Sequence, residues 1–176
     1  MNKNLPQRKR TRLSKYDYNS VGYYFITACT KDKHCIFGTV VGRGILDAPQ
    51  VKLSSKGMLV ESTLIYLNEH SEHIRIDKYI IMPNHIHLIL EVRSVGTEEN
   101  GASGMPRPTN AVVPQFVSSL KRFTNLKSGQ MLWQTSYYDH IIRNEEDYLR
   151  IWQYIDDNPA KWEEDKYYMA QHCIGK

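Results

Sequence analysis

The segment HIRIDKYIIMPNHIHLILEV, residues 73–92, constrains the fold of this chain more than any other stretch. Both halves are rich in aliphatic residues, and the dipeptide Pro83-Asn84 between them is a turn signal. Two such runs on either side of a short turn predict a β-hairpin with strands at 73–82 and 85–92. The second run has the composition of a buried strand, although it contains two histidines.

Patterns along the rest of the chain predict the elements that surround this hairpin. Residues 21–30 and 136–144 are aromatic or β-branched and predict strands. Helical spacing of apolar residues predicts helices at 53–70 and 114–127. Three acidic residues after Asn144 predict a further helix in the segment 144–159, with Asn144 as its N-cap and Pro159 past its end. The order predicts an α+β fold, a ferredoxin-like antiparallel sheet (βαββαβ) with helices on one face and an extra C-terminal helix.

Length and composition bound the class of protein. A chain of 176 residues with 41% hydrophobic residues is expected to form a single domain with one core. There is no apolar run long enough for a transmembrane helix and no secretory signal, so we expect a cytoplasmic protein with no membrane partner. Residues 93–110, rich in Gly, Pro and Ser, predict a mobile loop. The irregular spacing of the three cysteines predicts small thiols rather than a disulfide framework or a zinc site.

Side-chain alternation assigns the two histidines of the hairpin to one face. Successive residues of a strand point to opposite faces, so His85 and His87 share a face, while Ile86 and Leu88 point to the other. Two imidazoles spaced in this way are suited to bind one metal ion, although such a pair also occurs as ordinary solvent-facing residues. A third protein ligand would be needed, and an octahedral Mg²⁺ or Mn²⁺ would add water and phosphate oxygens.

A helical projection of the last predicted helix separates its tyrosines. At about 100° per residue, Tyr148 falls on the apolar stripe with Ile151 and is expected in the core. Tyr154 and Asn158, one turn apart, stand beside that stripe. A tyrosine phenol can attack a phosphodiester with help from a metal ion, and an asparagine oxygen can be a ligand. Alternatively, Tyr154 is an ordinary surface residue and Asn158 caps the helix.

Several segments together resemble one family of enzymes. These are YDYNSVGYYFITACT, MPNHIHLIL, WQTSYYDHIIRNEEDY and YIDDNPAKW, and the resemblance spans residues 8–166. The chain resembles the HUH endonuclease superfamily and, within it, the REP-associated tyrosine transposases of bacteria. The resemblance implies a ferredoxin-like fold, His85 and His87 as the metal-binding pair, Asn158 as the third ligand, Tyr154 as the catalytic tyrosine, and Mg²⁺ or Mn²⁺ as the cofactor.

The resemblance also implies an activity. Enzymes of this family cut and join single-stranded DNA next to hairpins: the tyrosine attacks the phosphate, stays linked to the 5′ side and releases a 3′-OH, and a later attack by a 3′-OH reverses the link without ATP. The alternative is a catalytically silent DNA-hairpin-binding protein derived from a transposase. Some relatives are homodimers that exchange the tyrosine helix and others are monomers, so catalysis in trans and in cis both remain open.

Basic residues suggest how DNA would be held. The net charge is +4, and residues 1–15 form a basic stretch without an acid, expected to be a flexible tail. A second group is expected on the solvent side of the helix at 114–127, bordering the site. The candidate DNA-binding residues are Arg8, Lys9, Arg10, Arg12, Lys121, Arg122 and Lys127.

Overall fold

The computed structural model describes residues 19–42, 48–93 and 111–173. The predicted basic tail at 1–15 and all but the first residue of the predicted loop at 93–110 lie outside these ranges. The strands are β1 (Gly22–Cys29), β2 (Gly38–Val41), β3 (Gln50–Leu53), β4 (Ile74–Met82), β5 (His85–Val92) and β6 (Tyr138–Ile142). The α-helices are α1 (Ser55–Glu69), α2 (Val112–Ser128), α3 (Glu145–Asp157) and the short α4 (Ala170–Cys173).

Four strands form an antiparallel sheet in the order β4-β5-β1-β6. Strands β2 and β3 form a separate hairpin between β1 and α1. The predicted hairpin at 73–92 is present as β4 and β5, with an irregularity of register between Ile76 and Lys78. In the strand order of the sheet β5 lies between β4 and β1, so it is an interior strand. The order β1, α1, β4, β5, α2, β6 confirms the predicted ferredoxin-like α+β fold, and α3 is the extra helix.

Helices cover both faces of the sheet. Because successive side chains of a strand point to opposite faces, each strand contributes residues to a core on either side. Along β1, Tyr24 and Ile26 belong to a large core shared with α1 and α2, whereas Phe25 belongs to a smaller core shared with α3. The same alternation along β5 directs Leu88 to the large core and Ile89 to the small one. The two histidines of β5 have the parity of Ile89, so they lie on the face that α3 covers.

Local capping explains where the helices begin and end. Ser54 precedes α1, and its hydroxyl accepts a hydrogen bond from the backbone N–H of Gly57 at 3.1 Å. The Asn144 side chain caps α3 in the same way, accepting from the N–H of Asp147 at 2.8 Å. Helix α2 ends at Gly129, whose φ of 66° lies in the left-handed region that favours glycine. No helix in the described part of the chain is long and apolar enough to cross a lipid bilayer.

A disulfide joins Cys35, in the loop after β1, to Cys173 in α4, with a sequence separation of 138 and 5.0 Å between their Cα atoms. Cys29 is a free, buried thiol. The prediction that the cysteines are thiols is therefore wrong for two of the three. The bridge connects distant parts of the chain, so its partners could not be identified from local spacing.

Candidate active site

The imidazoles of His85 and His87 are buried side by side at the start of β5. Both side chains have 0% exposure, and their Nε2 atoms lie 3.0 Å apart. The Asn84 amide nitrogen donates to the backbone carbonyls of Lys33 and Tyr167, which orients its Oδ1 as an acceptor. This oxygen lies 2.9 Å from His85 Nδ1, so Nδ1 carries the hydrogen and Nε2 presents a lone pair.

Burial keeps both rings neutral. It lowers the pKa of His85 to about 4, against the effect of the nearby Asp165 carboxylate. Burial, and the proximity of His85, lowers the pKa of His87 well below its ordinary value. His87 Nδ1 lies 2.8 Å from the hydroxyl of Thr27, its cross-strand partner. Neutral imidazole nitrogens that converge on one point are the form in which histidine binds a metal ion.

Asp165, in the segment after α3, adds a carboxylate to the histidine pair. One ligand atom from each of His85, His87 and Asp165 lies within 4.8 Å of the others. Asp165 Oδ1 accepts from the backbone N–H of Tyr167 at 2.6 Å, which holds the carboxylate in place. The sequence did not predict Asp165, because it lies among neighbouring acidic residues outside any periodic element.

Asn158 adds an amide at the C-terminus of α3. The residue is 2% exposed, and its Nδ2 donates to Asp165 Oδ2 at 3.2 Å. Its Oδ1 is buried beside His85 and accepts no hydrogen bond from the described residues. An unsatisfied buried carbonyl oxygen costs about 1–3 kcal/mol. Two imidazoles, a carboxylate and an orphaned amide oxygen are a donor set that fits a divalent cation.

Tyr154 lies against this cluster within the same chain. Its ring centroid is 5.2 Å from that of His87, and its hydroxyl donates to Asp165 Oδ2 at 3.1 Å. Burial and the Asp165 carboxylate raise the pKa of the phenol above its ordinary value. The side chain remains 37% exposed, so the phenol is accessible from solvent. Tyr148, on the same helix, instead donates to Asp77, and its ring contacts that of Trp152 at a tilt of 40°.

The cationic residues predicted on α2 do not lie beside the histidine pair. Helix α2 packs on the opposite face of the sheet from the histidine pair, so it does not border the site as expected. Lys121 is half-buried, and its ammonium donates to the carbonyls of Gln134 at 2.8 Å and Ser136 at 3.0 Å. Arg122 and Lys127 are exposed. The four predicted arginine and lysine residues of the tail lie outside the described ranges, and DNA contact by all these residues stays a prediction.

A cavity of about 640 Å³ opens beside Tyr154, and we refer to it as the edge cavity. It lies between α3, the edge strand β6 and the segment that follows α3. Its wall includes Tyr138 and His140 from β6 and Lys166 from that segment. The side chain of His140 is held by a 2.7 Å hydrogen bond to Asp147. The cavity gives a ligand of nucleotide size access to the phenol.

Comparison with known proteins supports the fold. No protein-family model matches the chain. An uncharacterized protein of Haemophilus influenzae is 32% identical over 183 residues, covering 96% of this chain and 97% of its own. A REP-associated tyrosine transposase bound to a REP hairpin superposes with a TM-score of 0.56 and 20% identity, over 88% of this chain and 76% of that one. The chain therefore belongs to the same family as the Haemophilus influenzae protein and has the fold of the REP-associated tyrosine transposase.

Proposed function

We propose that this protein is a transposase: a metal-dependent single-stranded DNA endonuclease and strand transferase that acts near hairpins through a phosphotyrosine at Tyr154. The single observation that carries the proposal is the meeting of an accessible phenol with two neutral imidazoles and a carboxylate inside one chain. The solved structure with the same fold was determined with a DNA hairpin bound, which supports DNA as the partner.

The donor set favours Mg²⁺ or Mn²⁺ as the cofactor. His85, His87 and Asp165 would hold the ion, and the orphaned Oδ1 of Asn158 would be a further ligand. When bound, such an ion would polarise the scissile phosphate and stabilise its developing negative charge.

The residues of the chain itself account for the transfer steps. Asp165 accepts the hydrogen bond of the Tyr154 hydroxyl, so it orients the phenol and is positioned to receive its proton. The phenol oxygen then forms a bond to phosphorus while the bond to the 3′ oxygen breaks, and that oxygen takes up a proton to leave as a 3′-OH. Attack by another 3′-OH reverses these changes and restores the phenol, so that no ATP is consumed.

The test is the formation of a covalent adduct. A hairpin oligonucleotide with single-stranded flanks, labelled on its 3′ portion, is incubated with the protein and Mg²⁺ or Mn²⁺ and run on a denaturing gel. We expect an adduct with the wild type and with the control Tyr148→Phe, and none with Tyr154→Phe or His85→Ala. An adduct formed by Tyr154→Phe would refute the assignment of the nucleophile. Binding without an adduct in either metal would instead support a catalytically silent hairpin-binding protein.

The proposal includes catalysis in cis, since the phenol and the histidines meet within one chain. Mixing His85→Ala with Tyr154→Phe tests this directly. If the tyrosine acts on its own chain's site, the mixture forms no adduct, because neither chain has both parts. Recovery of adduct in the mixture would indicate a homodimer that exchanges the tyrosine helix.

A further inference from the structure

The edge cavity presents an exposed aromatic ring on the same sheet face as the histidines. Tyr138 of β6 is 48% exposed and lines the cavity together with Tyr154. In the register of the sheet Tyr138 is opposite Thr27, and Thr27 is opposite His87, so all three side chains share one face. Because neighbouring strands lie about 4.8 Å apart, Tyr138 stands roughly 10 Å from His87.

Lys166 brings a cation to the same ring. Its ammonium lies 5.5 Å from the ring centroid of Tyr138 and 4.9 Å from that of Tyr167. Two other cations of the cavity wall are already paired: Arg150 with Asp147, and Lys161 with Asp157. Within the described ranges Lys166 forms no ion pair with a carboxylate. Its charge is therefore available to a ligand in the cavity.

We propose that the edge cavity binds the nucleotide next to the scissile phosphate, with its base stacked on Tyr138 and a phosphate against Lys166. This inference rests on the proposed function of Tyr154. An aromatic face beside a cation is the arrangement with which proteins hold single-stranded nucleic acid, because every base has a face that stacks and every nucleotide has a phosphate. A base that stacks on a protein side chain has to leave the stack of a duplex, so the proposed site would favour single strands over duplex.

The first experiment measures binding apart from cleavage. All variants carry Tyr154→Phe and are studied in EDTA, with a fluorescent hairpin oligonucleotide that has single-stranded flanks, by fluorescence anisotropy. We expect Tyr138→Ala to weaken binding about 5- to 150-fold, the usual effect of losing one base stack, and Tyr138→Phe to retain it. The matched control is Tyr66→Ala, since Tyr66 is 49% exposed but lies on α1, beyond the opposite face of the sheet. Equal effects of Tyr138→Ala and Tyr66→Ala would overturn the proposal.

The salt dependence tests the phosphate contact. We expect Lys166→Ala to reduce the slope of log Kd against log salt by about 0.7, the contribution of one phosphate of a single strand. Lys56→Ala, a substitution on α1, should leave the slope unchanged. An unchanged slope in Lys166→Ala would refute the phosphate contact.

An abasic scan locates the bound nucleotide. Each position of the flank is replaced in turn by an abasic site, and the loss of affinity is compared in the presence and absence of Tyr138→Ala. We expect the two losses to be non-additive at one position, adjacent to the cleavage point mapped with the wild type. Additive losses at every flank position would overturn the stacking contact. If the wild type forms an adduct but the losses of affinity are additive at every position, the nucleotide site is refuted and the proposed function stands. If the losses are non-additive at one position but no adduct forms, the proposed function is refuted and the nucleotide site stands.

Discussion

The stability of the fold depends on the protonation states of the two imidazoles of β5, because both rings are buried and adjacent. Their Nε2 atoms are 3.0 Å apart and fully buried, so a charge on either ring is disfavoured by desolvation and by repulsion from the other ring. Charged groups near His85 shift its pKa in opposite directions: Asp165 raises it, while Lys166 and Lys33 lower it. Desolvation outweighs the attraction of Asp165, and the rings stay neutral near pH 7.

This balance predicts a loss of stability in mild acid when the metal is removed. Between the ordinary histidine pKa of about 6.5 and the lowered pKa of His85, about 4, the unfolded chain binds protons that the folded chain does not. The free energy of unfolding should therefore fall as the pH falls through this window, by up to about 1.4 kcal/mol per pH unit for each histidine. Urea denaturation in EDTA at pH 7 and pH 5 measures it.

A histidine substitution on the protein surface provides the control. His70 is exposed, so His70→Gln should keep the pH dependence, whereas His85→Asn should reduce it. A free energy of unfolding that is the same at pH 7 and pH 5 in the wild type would contradict the assignment of neutral, buried rings.

The position of Asp165 beside the two histidines predicts that its carboxylate contributes to the affinity for a metal ion, which can be measured without DNA. Asp165→Asn replaces the carboxylate of the cluster of His85, His87 and Asp165. Since losing even an outer-shell partner of a ligand costs about 10- to 100-fold, we expect the affinity for Mn²⁺ to fall by at least about 10-fold. Isothermal titration calorimetry of the purified protein measures this without DNA. The matched control is Asp157→Asn, since Asp157 pairs with Lys161 on the surface and should leave the affinity unchanged. Equal affinities in the two variants would exclude Asp165 as a ligand.

At the scale of the elements, α1 begins in close contact with the loop that precedes β2. A Cβ atom at Gly57 would lie 2.0 Å from the backbone carbonyl oxygen of Phe37, and the carbonyl carbon would be 3.0 Å away. Helix propensity alone favours alanine over glycine by about 1 kcal/mol. The contact with a backbone atom reverses this preference, because the loop has to move to admit a methyl group.

We therefore predict that Gly57→Ala destabilises the protein. The expected decrease in the free energy of unfolding is about 1–3 kcal/mol, the usual cost of overpacking, and urea denaturation measures it. Ser62→Ala on an exposed position of the same helix should change stability by less than about 0.5 kcal/mol. Stabilisation by Gly57→Ala would show that the loop yields at little cost.

Secondary-structure elements were largely predictable because their signals are local. The alternation in β5 and the capping of α3 by Asn144 depend on residues within one turn or one strand. Helix α3 ends at Asp157 with Asn158 as its C-cap, which agrees with the prediction that Pro159 lies past the end of the helix. The face that α2 covers was not predictable, since periodicity identifies an apolar stripe without its partner.

At the scale of the whole molecule, the disulfide ties the C-terminal segment to the loop after β1. Since the bridge closes a long stretch of chain, with a sequence separation of 138, it should stabilise the protein by about 2–5 kcal/mol. We predict that dithiothreitol lowers the urea midpoint of the wild type and has no effect on Cys173→Ser. Cys29→Ala retains the bridge and should remain sensitive. A wild type that is insensitive to the reductant would contradict the bridge.

The sequence by itself determined the hairpin of β4 and β5, the pairing of His85 with His87 on one face, and the separation of Tyr154 from Tyr148. These follow from the periods of the strand and the helix, which a linear pattern contains. Only the tertiary structure decided that Asp165 joins the histidines, that Cys35 meets Cys173 and that Tyr138 flanks the phenol. Each of these contacts depends on packing between residues far apart in the chain, and neither a period nor a spacing specifies such packing.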